Sequence, residues 1–84
     1  MNGRMALSLA GHDKGSFYLV VKNDSNFVWL VDGRTRGIQN PKKKNCKHIQ
    51  IYGKVFTENE LSCFSENPAW ADNLIREKTD QMYR

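Results

Sequence analysis

The chain has 84 residues, of which 39% are apolar and 26% are charged, and its formal net charge at pH 7 is +4. This is the composition of one small globular domain, and it excludes a collagen, a coiled coil and a fully disordered chain. No apolar run approaches the roughly 18 residues of a membrane span, and the first residues lack a signal-peptide pattern, so we expect a soluble, cytoplasmic monomer that binds no membrane.

Five short runs predict strands, because they are rich in β-branched and aromatic residues or alternate between polar and apolar side chains. These runs are residues 4–9, 16–22, 27–31, 35–38 and 46–52. In the last run, Ile49 and Ile51 select the core face. Five strands this short are too few for a two-layer sandwich but can close into a strongly bent barrel. We therefore predict a mainly β fold, a small five-stranded SH3-like barrel over residues 1–54.

The remaining residues, 55–84, change to a helical pattern. The segment Thr57-Glu58-Asn59-Glu60 has the form of a capping box and predicts a short helical turn. Asn67 is then expected to cap a longer C-terminal α-helix with Pro68 at its first position. The apolar residues that follow on one helical stripe are Ala71, Leu74, Ile75 and Met82. We expect this helix to pack on the barrel as a lid within a single domain, and the alternative is that it docks a partner protein.

The charge is divided unevenly along the chain. Residues 1–54 carry ten Lys or Arg against three Asp or Glu, a net +7, whereas residues 55–84 carry three against six, a net −3. No acidic residue lies between Gly33 and Thr57, and six clustered basic residues fall in this stretch. This is typical of a polyanion-binding surface if they share a face. They are Arg34, Arg36, Lys42, Lys43, Lys44 and Lys47. The alternative is a solvated segment that keeps a small protein soluble.

A second candidate is the loop that Gly11 and Gly15 bracket. Its glycines allow backbone N–H groups to approach a phosphate closely, and Lys14 would then contact that phosphate. Asp13 is expected to accept hydrogen bonds from backbone N–H groups of the turn rather than to act as an acid. The alternative is that the glycines serve only the turn and that Lys14 is solvated.

The aromatic and cysteine residues give weaker signals. Trp29 is expected to fill the barrel interior, whereas Tyr18 and Tyr52 are better candidates for exposed stacking. Cys46 and Cys63 are too few for a disulfide scaffold and form no CxxC knuckle, so we expect two reduced, partly buried thiols and neither zinc nor another cofactor. No catalytic arrangement of nucleophile, base and orienting group is evident, so we do not expect an enzyme.

A series of short motifs resembles the pattern of KOW-motif proteins. They are Gly3-Arg4, Ala10 to Gly15, Asp32-Gly33-Arg34, Pro41 to Lys44 and Lys47-His48. The segment from Ser8 to Val21 is similar to the KOW unit itself, a strand, loop and strand found in large-subunit ribosomal proteins and in transcription elongation factors. The whole series, over residues 3–51, is similar to the small bacterial KOW-containing RNA-binding proteins. His12 departs from the pattern, because the family usually has Arg at this place.

The resemblance implies an SH3-like barrel and binding of structured RNA, with ribosomal RNA and ribosomal or translation-related proteins as the expected partners. The RNA-binding residues would be Lys14, Arg34, Arg36, Lys42, Lys43, Lys44, Lys47 and His48, with Gly11, Asp13 and Gly15 shaping the loop. The alternative is an SH3-like protein-interaction module that docks a partner through the barrel or the C-terminal helix. Clustered cations rather than clustered exposed aromatics favour RNA.

Overall fold

The computed structural model describes residues 1–83, so residue 84, the last of the predicted C-terminal region, lies outside the described residues. The strands are β1 (Arg4–Ser8), β2 (Phe17–Asn23), β3 (Phe27–Val31), β4 (Lys42–Asn45) and β5 (Ile49–Lys54). A single 3₁₀ turn, Cys46–His48, separates β4 from β5. The helices are α1 (Glu58–Phe64) and α2 (Pro68–Met82).

The prediction of a mainly β fold is confirmed. All five strands form one antiparallel sheet with the order β4-β3-β2-β1-β5. The first three strands lie within one residue of their predicted ends. The strands β4 and β5 are the two edges of the sheet, which is therefore not closed by hydrogen bonds.

The predicted fourth strand, residues 35–38, is wrong. Asp32 explains why, because its carboxylate accepts hydrogen bonds from the backbone N–H groups of Arg34, at 2.8 Å, and Arg36, at 2.9 Å. The carbonyl of Arg36 in turn accepts from the backbone N–H groups of Asp32 and Gly33. The backbone polar groups of this segment are thus hydrogen-bonded locally rather than to a neighbouring strand. The lysine tract that follows forms β4 instead and pairs with β3.

The predicted fifth strand is correct only in its second half. Residues 46–48 form the 3₁₀ turn, where the side chain of Asn45 accepts a hydrogen bond from the backbone N–H of Lys47 at 2.9 Å. The strand then runs from Ile49 to Lys54. Its core face is the predicted one, since Ile49 is buried and Ile51 packs against the same cluster.

The core lies on both faces of the sheet. The first cluster is shared by the sheet and the helices and contains Met5, Leu19, Val31, Phe56, Phe64, Ala71 and Ile75. The second cluster is formed by strand residues alone, namely Ala6, Tyr18, Val20, Val28, Leu30 and Ile49. Because β3 and β5 are separated by two strands in the sheet and still contribute to one cluster, the sheet curls around its second face.

Both helices begin where the sequence predicts. Thr57 and Glu60 form the capping box, with the Thr57 backbone N–H donating to Glu60 Oε1 at 2.9 Å and the Glu60 backbone N–H donating to Thr57 Oγ1 at 3.2 Å. Asn67 caps α2, which has Pro68 at its start. The predicted apolar stripe of α2 packs against the first cluster, so the helix covers one face of the sheet.

The loop after β3 is attached closely to α2. Gly33 has a φ of +78°, and a Cβ at this position would lie 2.2 Å from the carbonyl oxygen of Asp72. The Ile38 backbone N–H donates to Asp72 Oδ1 at 2.8 Å, and Thr79 Oγ1 donates to the Asp32 carbonyl at 3.4 Å. Only glycine permits this approach of helix and loop.

Among residues 1–83, no helix combines the length and the apolar character needed to cross a membrane.

Candidate nucleic-acid interface

The most connected side chain of the predicted site is Asp13. Its carboxylate accepts hydrogen bonds from Lys42 Nζ and Lys44 Nζ, each at 2.8 Å. It also accepts from the hydroxyls of Ser8, at 2.7 Å, and Tyr18, at 3.0 Å. Two lysines that lie about thirty residues from Asp13 in sequence are therefore fixed at one point of the loop.

These contacts shift the pKa values of Asp13 and Tyr18. Burial alone would raise the pKa of Asp13, but the hydrogen bonds from Lys42, Lys44 and the two hydroxyls outweigh it and hold that pKa well below its ordinary value. The pKa of Tyr18 is raised by burial and then by the hydrogen bond and the negative charge of Asp13. Asp13 therefore stays ionised and Tyr18 stays neutral at neutral pH.

The expected role of Asp13 as an acceptor of backbone N–H groups is wrong. Its partners are side chains, because the left-handed glycines let the loop fold its carboxylate inward over the second cluster, where Tyr18 lies. Tyr18 is 5% exposed, so its expected role in exposed stacking is also wrong. A hydroxyl bonded to Asp13 explains why a tyrosine is tolerated there.

The two lysines differ in how much they can offer a ligand. The side chain of Lys42 is 31% exposed, whereas that of Lys44 is 10% exposed and also donates to the carbonyl of Ala10 at 2.9 Å. An ammonium group has three donors, and Lys42 uses one of them on Asp13. Lys42 can therefore contact an external phosphate directly. Lys44 is nearly buried and contributes only the long-range attraction of its positive charge.

The loop itself adds exposed groups. Gly11 and Gly15 have φ values of +84° and +89°, a conformation that favours glycine. His12 and Lys14 between them are exposed. The turn is closed by backbone hydrogen bonds, including one from the Lys14 N–H to the Gly11 carbonyl at 3.2 Å.

The 3₁₀ turn brings two more of the predicted residues to the same place. The backbone N–H of Leu9, at the end of β1, donates to the carbonyl of His48 at 2.8 Å. Lys47 and His48 are both exposed. The turn therefore lies beside the start of the glycine loop.

We call the resulting surface the lysine surface. It consists of His12, Lys14, Lys42, Lys44, Lys47 and His48 around Asp13. Four lysines against one aspartate leave a net charge of +3 when both histidines are neutral.

The two predicted arginines lie elsewhere. Arg34 donates through one guanidinium nitrogen to both carboxylate oxygens of Asp80 in α2, at 2.5 and 2.7 Å. Arg36 is partly exposed in the same loop. Residues 35–38 are not a strand, so these arginines do not lie on the face of one. Arg34 and Asp80, together with Phe17, Thr79 and Tyr83, line a small open cleft.

Lys43 faces away from the lysine surface. It pairs across the ladder with Trp29, and adjacent strand residues point to opposite sides of a sheet. Its Nζ lies 4.3 Å from the ring centroid of Phe27 and 5.6 Å from that of Trp29. The six clustered cations therefore do not share a single face.

Trp29 is not in the core, contrary to the prediction. It is partly exposed, while its neighbours Val28 and Leu30 are fully buried. Phe27 and Trp29 lie on the face opposite to Val28 and Leu30. All five residues of β3 are apolar, so no sequence signal separates the two faces, and Phe27 and its neighbour Lys22 were missed as site residues.

Tyr52, Cys46 and Cys63 complete the set of residues that the sequence singled out. Tyr52 is partly buried and contacts Phe17 edge to face, with ring centroids 5.5 Å apart. Both cysteines are free thiols; Cys46 is partly buried, as expected, whereas Cys63 is exposed. Within residues 1–83, no group of three or more His, Cys, Asp or Glu side chains is arranged to hold a metal ion.

Comparison of the chain with models of known protein families and with curated proteins gives no match.

Proposed function

We propose that the protein binds structured RNA, with the lysine surface gripping phosphates. The observation that carries this proposal is the pairing of two lysines of β4, Lys42 and Lys44, with Asp13 of the glycine loop. Exposed lysines of the same loop and of the neighbouring 3₁₀ turn, Lys14 and Lys47, add to the positive charge of this surface. Phosphate contacts from lysines supply most of the sequence-independent affinity of RNA-binding proteins. The net positive charge of this surface matches a polyanion.

The order already present in the free protein favours this use. Lys42 and Lys44 are held by Asp13, so they lose less side-chain freedom when a ligand binds than free surface lysines would. Binding to Asp13 leaves donors of Lys42 unused, and these point to a partly exposed surface. The surface is therefore organised for an anion before the anion arrives.

We further propose that the protein belongs with KOW-motif RNA-binding proteins and that its sheet is an SH3-like barrel. The strand order β4-β3-β2-β1-β5, the short turn between the two edge strands and the curled second face support this assignment. The loop between β1 and β2 is the segment that resembles the KOW unit. Ribosomal RNA is then the proposed ligand, and the protein acts in the cytoplasm in association with translation.

Recognition is expected to follow RNA shape rather than sequence. Lysine contacts to phosphates carry no base information. The A-form groove geometry of duplex RNA presents mainly phosphates and 2′-hydroxyls to a protein surface. The natural first ligands are therefore hairpins and ribosomal subunits.

The test is a fluorescence-anisotropy titration of a labelled RNA hairpin at several salt concentrations. We expect Lys14→Gln and Lys47→Gln each to weaken binding and to reduce the slope of log affinity against log salt by about one. Lys54→Gln is the matched control, since Lys54 is exposed and pairs with Arg4 at the far end of β1 from the loop. Equal losses in all three variants would contradict a localised phosphate site.

Co-sedimentation separates RNA binding from protein docking. We expect the chain to sediment with ribosomal subunits and to be released by the Lys14→Gln and Lys47→Gln double variant. Retention of the double variant at the level of the unmodified protein would contradict the proposal and would favour the alternative, a protein-interaction module.

A further inference from the structure

One end of the sheet carries aromatic side chains that neither core cluster uses. Phe27, Trp29 and Val31 alternate along β3 and share one face. Val31 is fully buried beneath the helices, in the first cluster. Phe27 and Trp29, further along the strand, are partly exposed and belong to neither cluster. The helical layer thus ends before the hairpin does, and two large rings remain uncovered by it.

Lysines flank these rings on both sides. Lys22 and Lys43 are the cross-strand partners of Trp29 in β2 and β4. Lys22 Nζ lies 4.8 Å from the Trp29 ring centroid, and Lys43 Nζ lies over the Phe27 ring at 4.3 Å. Both lysines are exposed. Two cations therefore sit within reach of two aromatic faces; we call Lys22, Phe27, Trp29 and Lys43 the aromatic platform.

The acidic residue nearest to the platform is committed to the hairpin turn. Asp24 Oδ1 accepts hydrogen bonds from the backbone N–H groups of Asn26, at 2.8 Å, and Phe27, at 2.7 Å. These hydrogen bonds, together with the charges of Lys43 and Lys22, lower the pKa of Asp24. With two lysines against one aspartate, the platform keeps a net charge of +1 and matches an anionic ligand.

We propose that the aromatic platform binds unpaired nucleotides of an RNA. Two successive bases stack on Trp29 and Phe27, and their phosphates contact Lys22 and Lys43. Residues two apart on a strand are spaced by roughly 7 Å, and aromatic pairs on exposed sheets bind successive bases in this way in RNA-binding folds. The long lysine side chains leave the ring faces when phosphates offer them a full charge.

This inference rests on the proposed RNA-binding function and adds a ligand class to it. Lys43 lies between Lys42 and Lys44, so the aromatic platform and the lysine surface are the two sides of the same edge strand. A duplex against the lysine surface can therefore extend an unpaired strand across β4 onto the platform. A proline-rich peptide is a poorer fit, since it docks in bare aromatic grooves rather than under ammonium groups.

The first test uses tryptophan fluorescence. The chain has two tryptophans, so Trp70→Phe leaves Trp29 as the only one. We expect single-stranded octauridylate to quench the fluorescence of this variant, because a base stacks on the indole ring. Trp29→Phe leaves Trp70, which is exposed on α2 and contacts Phe64, and we expect no quenching there.

The second test measures affinity for octauridylate. Trp29→Leu should weaken binding by about 5- to 150-fold, the range found for loss of one stacked base, and should leave the salt slope unchanged. Lys43→Gln should instead reduce the magnitude of the slope by about 0.7, as expected for one phosphate on a single strand. Trp70→Leu is the matched control and should bind normally. Trp29→Tyr keeps a ring and should retain most of the affinity.

The outcomes separate the two proposals. If folded Trp29→Leu shows the affinity of the unmodified protein for octauridylate, the platform proposal is overturned. Should Trp29→Leu fail to fold, an unmodified salt slope in Lys43→Gln overturns it. Hairpin binding that still depends on Lys14 would then leave the proposed function intact. If neither RNA binds the unmodified protein, both proposals fall. Quenching of Trp29 by a polyproline peptide and not by octauridylate would identify a peptide site and overturn the platform proposal.

Discussion

The two faces of β4 put neighbouring lysines into different chemical settings. On one face, Lys42 and Lys44 form ion pairs with a nearly buried carboxylate, whose side chain is 11% exposed. On the other face, Lys43 is exposed and lies over aromatic rings. Of these three consecutive lysines, Lys44 is nearly buried in its ion pair, Lys42 is paired but partly exposed, and Lys43 lies at the surface. A run of lysines in a strand has to be interpreted residue by residue, because a strand alternates its faces.

The largest expected effect on the difference between the two faces of β4 comes from replacing Asp13. In Asp13→Asn, two lysines lose their counter-charge and an amide N–H₂ faces their ammonium groups, so we expect the free energy of unfolding to fall by about 2–3 kcal/mol. Urea denaturation at pH 7 measures it. Asp24→Asn is the matched control, since Asp24 is exposed, and should lose much less. Equal losses in the two variants would contradict a special role for Asp13.

The same carboxylate makes the comparison depend on pH. The pKa of Asp13 is lowered in the folded protein relative to about 3.9 in the unfolded chain, so its contribution is complete above about pH 5 and is lost progressively as the pH falls below that. We expect the stability difference between the unmodified protein and Asp13→Asn to shrink between pH 5 and pH 2. Urea midpoints across this range check it, and a constant difference would contradict the assignment.

A direct comparison within the tract comes from replacing single lysines by methionine, which keeps the apolar stem. Lys44→Met removes hydrogen bonds to Asp13 and to the carbonyl of Ala10, and we expect a loss of about 1–2 kcal/mol. Lys43→Met should change stability by less than about 0.5 kcal/mol, since exposed charges contribute little. Thermal melts of both variants measure these losses. A larger loss in Lys43→Met than in Lys44→Met would contradict the assignment of the two lysines to opposite faces.

A smaller loss of stability than for Asp13→Asn is expected when the hydroxyl of Tyr18 is removed. Its raised pKa means that the folded protein holds the phenol proton more tightly than the unfolded chain does, so this stabilisation is complete below about pH 10 and is lost as the pH rises above it. Tyr18→Phe loses about 1 kcal/mol at pH 7 with the hydrogen bond to Asp13. We expect its stability to fall less steeply than that of the unmodified protein above pH 10.

Local signals in the sequence were enough for the helices and for three strands. The capping box at Thr57 and the Asn67-Pro68 start depend on residues within one helical turn of each other, so they can be found without the fold. The strand at 35–38 could not be rejected in this way. Its polar groups are taken by Asp32, a neighbour whose effect depends on the side chain turning back onto the chain.

The candidate site was only partly accessible from sequence. The residue types and the glycine loop were identified, but the pairing of Asp13 with lysines 29 and 31 residues away is a product of the sheet. The same holds for Lys22 and Lys43 on either side of Trp29, which depend on the register of three strands. Positions that a strand ladder brings together cannot be deduced from composition or spacing.

The close contact at Gly33 has a consequence for how the molecule opens. The loop at 32–38 lacks a ladder of its own and is bound to α2 through Asp72, Thr79 and Asp80. Neither segment retains its packing when the other detaches, so loop and helix should exchange their amide protons as one cooperative unit. The β1, β2 and β3 amides, in the centre of the sheet, should exchange more slowly. Excursions that expose the first cluster would thus begin at the helix and spare the three central strands.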